Sequence, residues 1–159
     1  MTLITSNGGY RVVEIFQYIH EYTELNKGLK DLNKYNIFKK KKIVNEMNDL
    51  KDKLRNTDIY DLLNAIYNYV YMHKYVETYV LDDNLSRIDF RDNGFIYISN
   101  PDKYYVEYSL NGKGFYISYR SKSFYVSYKQ EIKNSNLKSI WETVNSNVHE
   151  LIISLIKLL

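Results

Sequence analysis

The chain contains no cysteine, a single proline and six glycines among 159 residues. Without thiols there is no disulfide framework, no thiolate zinc site and no cysteine nucleophile, and the composition suits a reducing compartment. No long apolar run is present either. The final stretch from Leu151 to Leu159 is interrupted by Ser154 and Lys157 and is too short to cross a bilayer. The segment from Met1 to Gly9 has neither a basic region nor an apolar core, so no signal peptide is expected. Charge of one sign is lacking as well. With 22 basic and 19 acidic side chains the net charge is +3, less than a dedicated nucleic-acid-coating protein usually carries. No serine sits in a nucleophile-elbow context, and no glycine loop has phosphate-cradling spacing after a strand. His20, His73 and His149 lie far apart and suggest no ligand set.

What the chain does have is tyrosine, 18 residues of it, together with much Asn, Lys and Ile. Set beside the single proline, this favours AT-rich codons, as in a phage, a virus, another mobile element or an AT-rich cell. The expected location is intracellular and cytoplasmic.

Three short segments resemble one another closely: Tyr104-Tyr-Val-Glu-Tyr108, Phe115-Tyr-Ile-Ser-Tyr119 and Phe124-Tyr-Val-Ser-Tyr128. Each alternates with period two, as a half-buried antiparallel strand does. Asn111-Gly112 is the strongest hairpin signal in the chain, with both positions expected at positive φ. A two-residue loop there pairs Tyr108 with Phe115, Val106 with Ile117 and Tyr104 with Tyr119. A turn at Ser121-Lys122 then pairs Tyr119 with Phe124, Ile117 with Val126 and Phe115 with Tyr128. Upstream, Arg87 to Arg91 alternates and Asp92-Asn93-Gly94 turns the chain. A three-residue loop with Gly94 left-handed sets Phe90 against Ile96 and Ile88 against Ile98. All three strands of the repeated motif then share one apolar face, and a slip of one residue would invert it.

The remainder reads as helix. Apolar residues recur at steps of three and four from Tyr10 to about Leu32, over about 36–55, over about 58–80 with Thr57 as cap, and from about Asn136 onward. Tyr67, Tyr71 and Tyr75 form a ladder expected to pack within the helical layer. The expected fold is α+β: three N-terminal helices, an antiparallel meander of about five strands, and a C-terminal amphipathic helix on the sheet. One domain is expected over 1–159, with a lead-in at 1–9, helices over 10–80, sheet over 86–130 and the last helix over 135–159.

Alternation assigns Tyr105, Glu107, Tyr116, Ser118, Arg120, Tyr125, Ser127 and Lys129 to the other face. Tyr, Ser and Arg together make an adaptable binding surface, since the ring supplies area while hydroxyls and guanidinium supply directional bonds. The competing reading is an ordinary solvated face, or one covered by the helices. Candidate binding residues are Tyr105, Tyr116, Ser118, Arg120, Tyr125 and Lys129. The function expected is non-catalytic binding of a host or viral protein, as an inhibitor or regulator from a mobile element. No membrane partner is expected, and a homodimer is allowed. Single-stranded nucleic acid on the same face is the alternative. The Lys39 to Lys42 run offers contacts to phosphates or an acidic partner. An enzyme reading rests on Asp102, Glu131 and Lys133, an acid and an acid-x-Lys pattern of the kind that holds Mg²⁺ or Mn²⁺ in nucleases. Outside that reading no cofactor is expected.

Overall fold

The structure, a computed structural model, describes residues 9–74, 78–82, 85–112, 114–127, 132–133 and 135–159. Three helices come first, α1 (Gly9–Asp31), α2 (Ile37–Arg55) and α3 (Ile59–His73). Six strands follow, β1 (Thr78–Val80), β2 (Arg87–Phe90), β3 (Phe95–Asn100), β4 (Tyr104–Ser109), β5 (Gly114–Tyr119) and β6 (Lys122–Ser127), before α4 (Ser135–Ile156). The strands form one antiparallel sheet in sequence order, a simple meander. The α+β architecture is thus as the sequence implied, with one strand more.

That extra strand is β1. The helix expected over 58–80 ends at His73, where Lys74 turns extended (φ −145°, ψ 158°) and its amide still donates to the Val70 carbonyl. Thr78-Tyr79-Val80 then pairs with β2. Helical periodicity loses here because a β-branched and aromatic triplet finds an open sheet edge. Tyr79 is buried against Phe90, ring to edge at 6.1 Å. The cap of α3 also differs from expectation. Asp58 accepts from the amides of Tyr60 and Asp61, while Thr57 donates its hydroxyl back to the Leu54 carbonyl.

The helices stack on one face of the sheet. Its inward side chains Ile88, Phe90, Ile96, Ile98, Tyr104, Val106, Tyr108, Phe115, Ile117 and Val126 are buried. Tyr60 of α3 meets Tyr108 and Phe115, and Trp141 of α4 stacks on Phe115 at 4.3 Å. Every residue of α3 from Ile59 to Val70 is buried, because α1 covers its far side through Phe16 and Thr23 at Tyr69. A helix enclosed all round must satisfy its own polar groups, and Asn68 donates to the Asn64 carbonyl. Of the tyrosine ladder, Tyr67 is buried and stacks on the exposed Tyr71; Tyr75 lies outside the described residues. α2 packs on α1 and reaches α4, where Arg55 binds both carboxylate oxygens of Glu150.

The registers of the first hairpins follow the sequence. Phe90 faces Ile96 and Ile88 faces Ile98, with Gly94 left-handed at φ 85°. Tyr108 faces Phe115 and Val106 faces Ile117. The conformations of the later turns do not follow it. Asn111 and Gly112 have no positive φ. Side chains shape that turn instead: Ser109 accepts from the Gly112 amide, and Asn111 donates to the Asn93 carbonyl of the adjacent turn. The left-handed pair is Arg120-Ser121, at φ 46° and 67°. This two-residue loop sets Tyr119 opposite Lys122, Ile117 opposite Phe124 and Phe115 opposite Val126. The expected β5–β6 register is therefore wrong by two residues. A shift of two keeps every side chain on its face, which is why the core survives the error.

Candidate functional site: the open face of the sheet

With every helix on one side, the opposite side of the sheet carries no layer among the described residues. The register divides it into cross-strand rows. One row near the β3–β4 and β5–β6 turns runs Val80, Arg87, Ser99, Tyr105, Ser118 and Ser123. The next runs Thr78, Asp89, Tyr97, Glu107, Tyr116 and Tyr125. Beyond it lie Phe95, Ser109, Gly114 and Ser127.

The first row, from Val80 to Ser118, floors a groove of about 590 Å³ whose rim is made by Leu85, the turn from Asn100 to Lys103, and Arg120-Ser121. Arg87, Lys103 and Arg120 bring three cations to it, against one carboxylate, Asp102. Among the described residues none of these three cations takes part in an ion pair. Arg120 lies over the Tyr119 ring at 5.3 Å. The middle row is different in charge. It holds Asp89, which accepts from the Thr78 hydroxyl, and Glu107.

Aromatic rings run obliquely across both rows. Phe95 stacks on Tyr97 at 6.1 Å, and Tyr97 meets Tyr105 at 6.1 Å. The Tyr105 hydroxyl is pushed up to about 12, by burial first and then by the Glu107 carboxylate beside it. It therefore stays a neutral hydrogen-bond donor throughout the physiological range. Tyr125 is 65% exposed, and its ring lies over Gly114, where a β-carbon would meet the phenol and the Val126 carbonyl oxygen. Glycine at that strand position lets the ring lie close to the sheet.

Of the expected binding residues, Tyr105, Tyr116, Ser118 and Tyr125 do share this face. The register error changes their neighbours: Tyr125 is opposite Tyr116, and Ser118 faces Ser123. Arg120 is not on the pleat but in the turn, at the groove rim. Lys129 lies outside the described residues. Arg87, Ser99, Lys103 and Tyr97 belong to the same surface and were missed. The β2–β3 register, legible in the sequence, already places Arg87 beside Ser99.

The nuclease constellation is not assembled among the described residues. Asp102 sits in the β3–β4 turn instead of opening a strand, at the groove end of the sheet. β6 leaves from the other end, since Ser127 pairs with Gly114 and Gly114 with Ser109. Lys133 is exposed beyond it, and Glu131 lies outside the described residues. No group of three or more His, Cys, Asp or Glu side chains able to hold a metal occurs among the described residues. Two of the three histidines meet in space although they are far apart in sequence. His20 of α1 and His73 of α3 stack at 6.4 Å, next to Tyr69, whereas His149 spans from Asn145 to the Thr57 carbonyl. No helix among the described residues is long and apolar enough to cross a membrane.

Comparison with protein-family models, curated proteins and solved structures gives no match for this chain.

Proposed function

We propose that the protein is a non-catalytic binding module that engages another protein through the open sheet face. On the compositional reading it acts as a regulator or inhibitor carried by a mobile element. The observation that carries the proposal is the separation of charge on a tyrosine- and serine-rich surface. Arg87, Lys103 and Arg120 ring the groove, while Asp89 and Glu107 stand in the row beside it. A protein surface offers charges of both signs and can complement that pattern. A nucleic-acid strand crossing the same rings would lay phosphates against two carboxylates. The rings themselves supply rigid area at low entropy cost, as in other adaptable interfaces.

Single-stranded nucleic acid is the second reading, favoured by the Phe95, Tyr97, Tyr105 series leading toward the cationic groove. The two differ in salt response. Nucleic-acid affinity falls steeply with ionic strength, whereas an interface of mixed charge and aromatic area responds weakly.

The test is capture from the native cell with wild type beside Tyr116→Ala/Tyr125→Ala, followed by affinity measurement on the purified partner. Loss of affinity at least tenfold with an unchanged melting temperature supports the proposal. A large loss of stability with unchanged affinity assigns those rings to structure alone. A partner that proves to be single-stranded nucleic acid, with a steep salt slope, establishes the second reading.

A further inference from the structure

The α1–α2 connection and the first turn of α2 break two local rules at once. Tyr35, Ile37 and Phe38 are 76%, 68% and 91% exposed, so three large apolar side chains project into water at one tip. Directly behind them stand Lys39, Lys40, Lys41 and Lys42, with Lys34 on the near side. From Leu32 to Asn45 the chain carries no acid. Cations in a first helical turn oppose the positive end of the helix dipole, and α2 has no acidic residue there to offset them. Among the described residues none of these lysines is in an ion pair, and Lys34 lies over the Tyr35 ring at 5.2 Å.

We propose that this tip is a docking site for an anionic lipid surface. Both unfavourable features become favourable there: the apolar residues enter the headgroup and acyl boundary, and the lysines meet the negative surface. Successive helix positions point about 100° apart, so Lys39 to Lys42 encircle the α2 axis instead of forming one face. A ring of charge behind an apolar end fits a helix approaching end-on. The rise from Phe38 to Lys42 is about 6 Å, within the depth to which such elements enter the interface. Nucleic acid explains the tip less well. Ile37 has nothing to stack with, and the segment contains no arginine, the side chain suited to bidentate phosphate contact. The expectation of no membrane partner rested on the lack of a spanning segment, which does not bear on surface binding.

Flotation with the full chain tests this, using vesicles of phosphatidylcholine alone and of phosphatidylcholine mixed with phosphatidylserine. The expected result is binding only to the phosphatidylserine vesicles, weakened by salt. Neutralising the lysines as Gln should reduce partitioning on the order of fivefold for each one removed. Ile37→Ser/Phe38→Ser should abolish it while leaving the circular dichroism unchanged, because neither side chain is in the core. Absence of binding to the anionic vesicles overturns the proposal, as does binding that survives both sets of substitutions. Two further results also overturn it when vesicles are not bound: retention of a single-stranded oligonucleotide through the same lysines, or self-association that Phe38→Ser removes.

Discussion

Tyr108 has no exposed surface and sits between Tyr60 and Phe115, yet its hydroxyl has no hydrogen-bond partner among the described residues. Burial accordingly pushes its ionisation well above the ordinary range of a phenol. A buried hydroxyl left unpaired costs about 1–3 kcal/mol. Tyr108→Phe should thus leave stability unchanged or raise it by up to that amount, read by chemical denaturation. A loss above about 1 kcal/mol would mean that the hydroxyl is satisfied by bound water. The alternation identifies Tyr108 as inward-facing, and the hairpin register identifies its neighbour Phe115. Whether its oxygen finds a partner depends on how α3 sets Tyr60 against it, about which strand periodicity carries no information. Tyr125 shows the same limit from the outside. Its face is legible in the sequence, but its place opposite Tyr116 and over Gly114 follows from a turn conformation that the residues do not advertise.

The β5–β6 turn is where local preference and structure part most clearly. Asn111-Gly112, the pair suited to left-handed backbone, is not left-handed, and Arg120-Ser121, poorly suited, is. A non-glycine residue in that region costs roughly 1–2 kcal/mol. Replacing the pair as Arg120→Asn with Ser121→Gly should therefore raise the melting temperature. It should also weaken partner binding, because a groove cation is lost; a rise in stability with full affinity would remove Arg120 from the site. Strain held beside a candidate binding groove is the arrangement expected when a side chain is retained for function. A similar conflict decides β1. Residues 78–80 satisfy helical spacing as well as strand propensity, and only the presence of the β2 edge chooses between them.

For the molecule as a whole, alkaline pH probes the tyrosines on both faces of the sheet. Tyr104 and Tyr105 are each raised from 10.0 to about 12, by burial first and then by Asp82 and Glu107 respectively. The unfolded chain releases these protons first as pH rises. Their contribution to stability is thus complete below pH 10.0 and is lost progressively up to about pH 12. Melting temperatures should fall across that window, and the share of tyrosinate absorbance due to Tyr104 should appear only together with unfolding. Absorbance that develops fully before the fold is lost would contradict the buried assignment of Tyr104.

Periodicity determined that helices precede a meander and which strand residues point inward, and turn length added to it set how β2 meets β3 and β4 meets β5. It could do so because alternation and helical spacing are properties of neighbouring residues, and an error of one position would turn an entire face over. Tertiary structure alone decided that the helices all lie on one side, that α3 is enclosed, that a sixth strand joins at the edge, and that Arg87, Lys103 and Arg120 gather round one groove. Those outcomes depend on contacts between segments distant in the chain, where burial and pairing outweigh local propensity by amounts no short window of sequence contains.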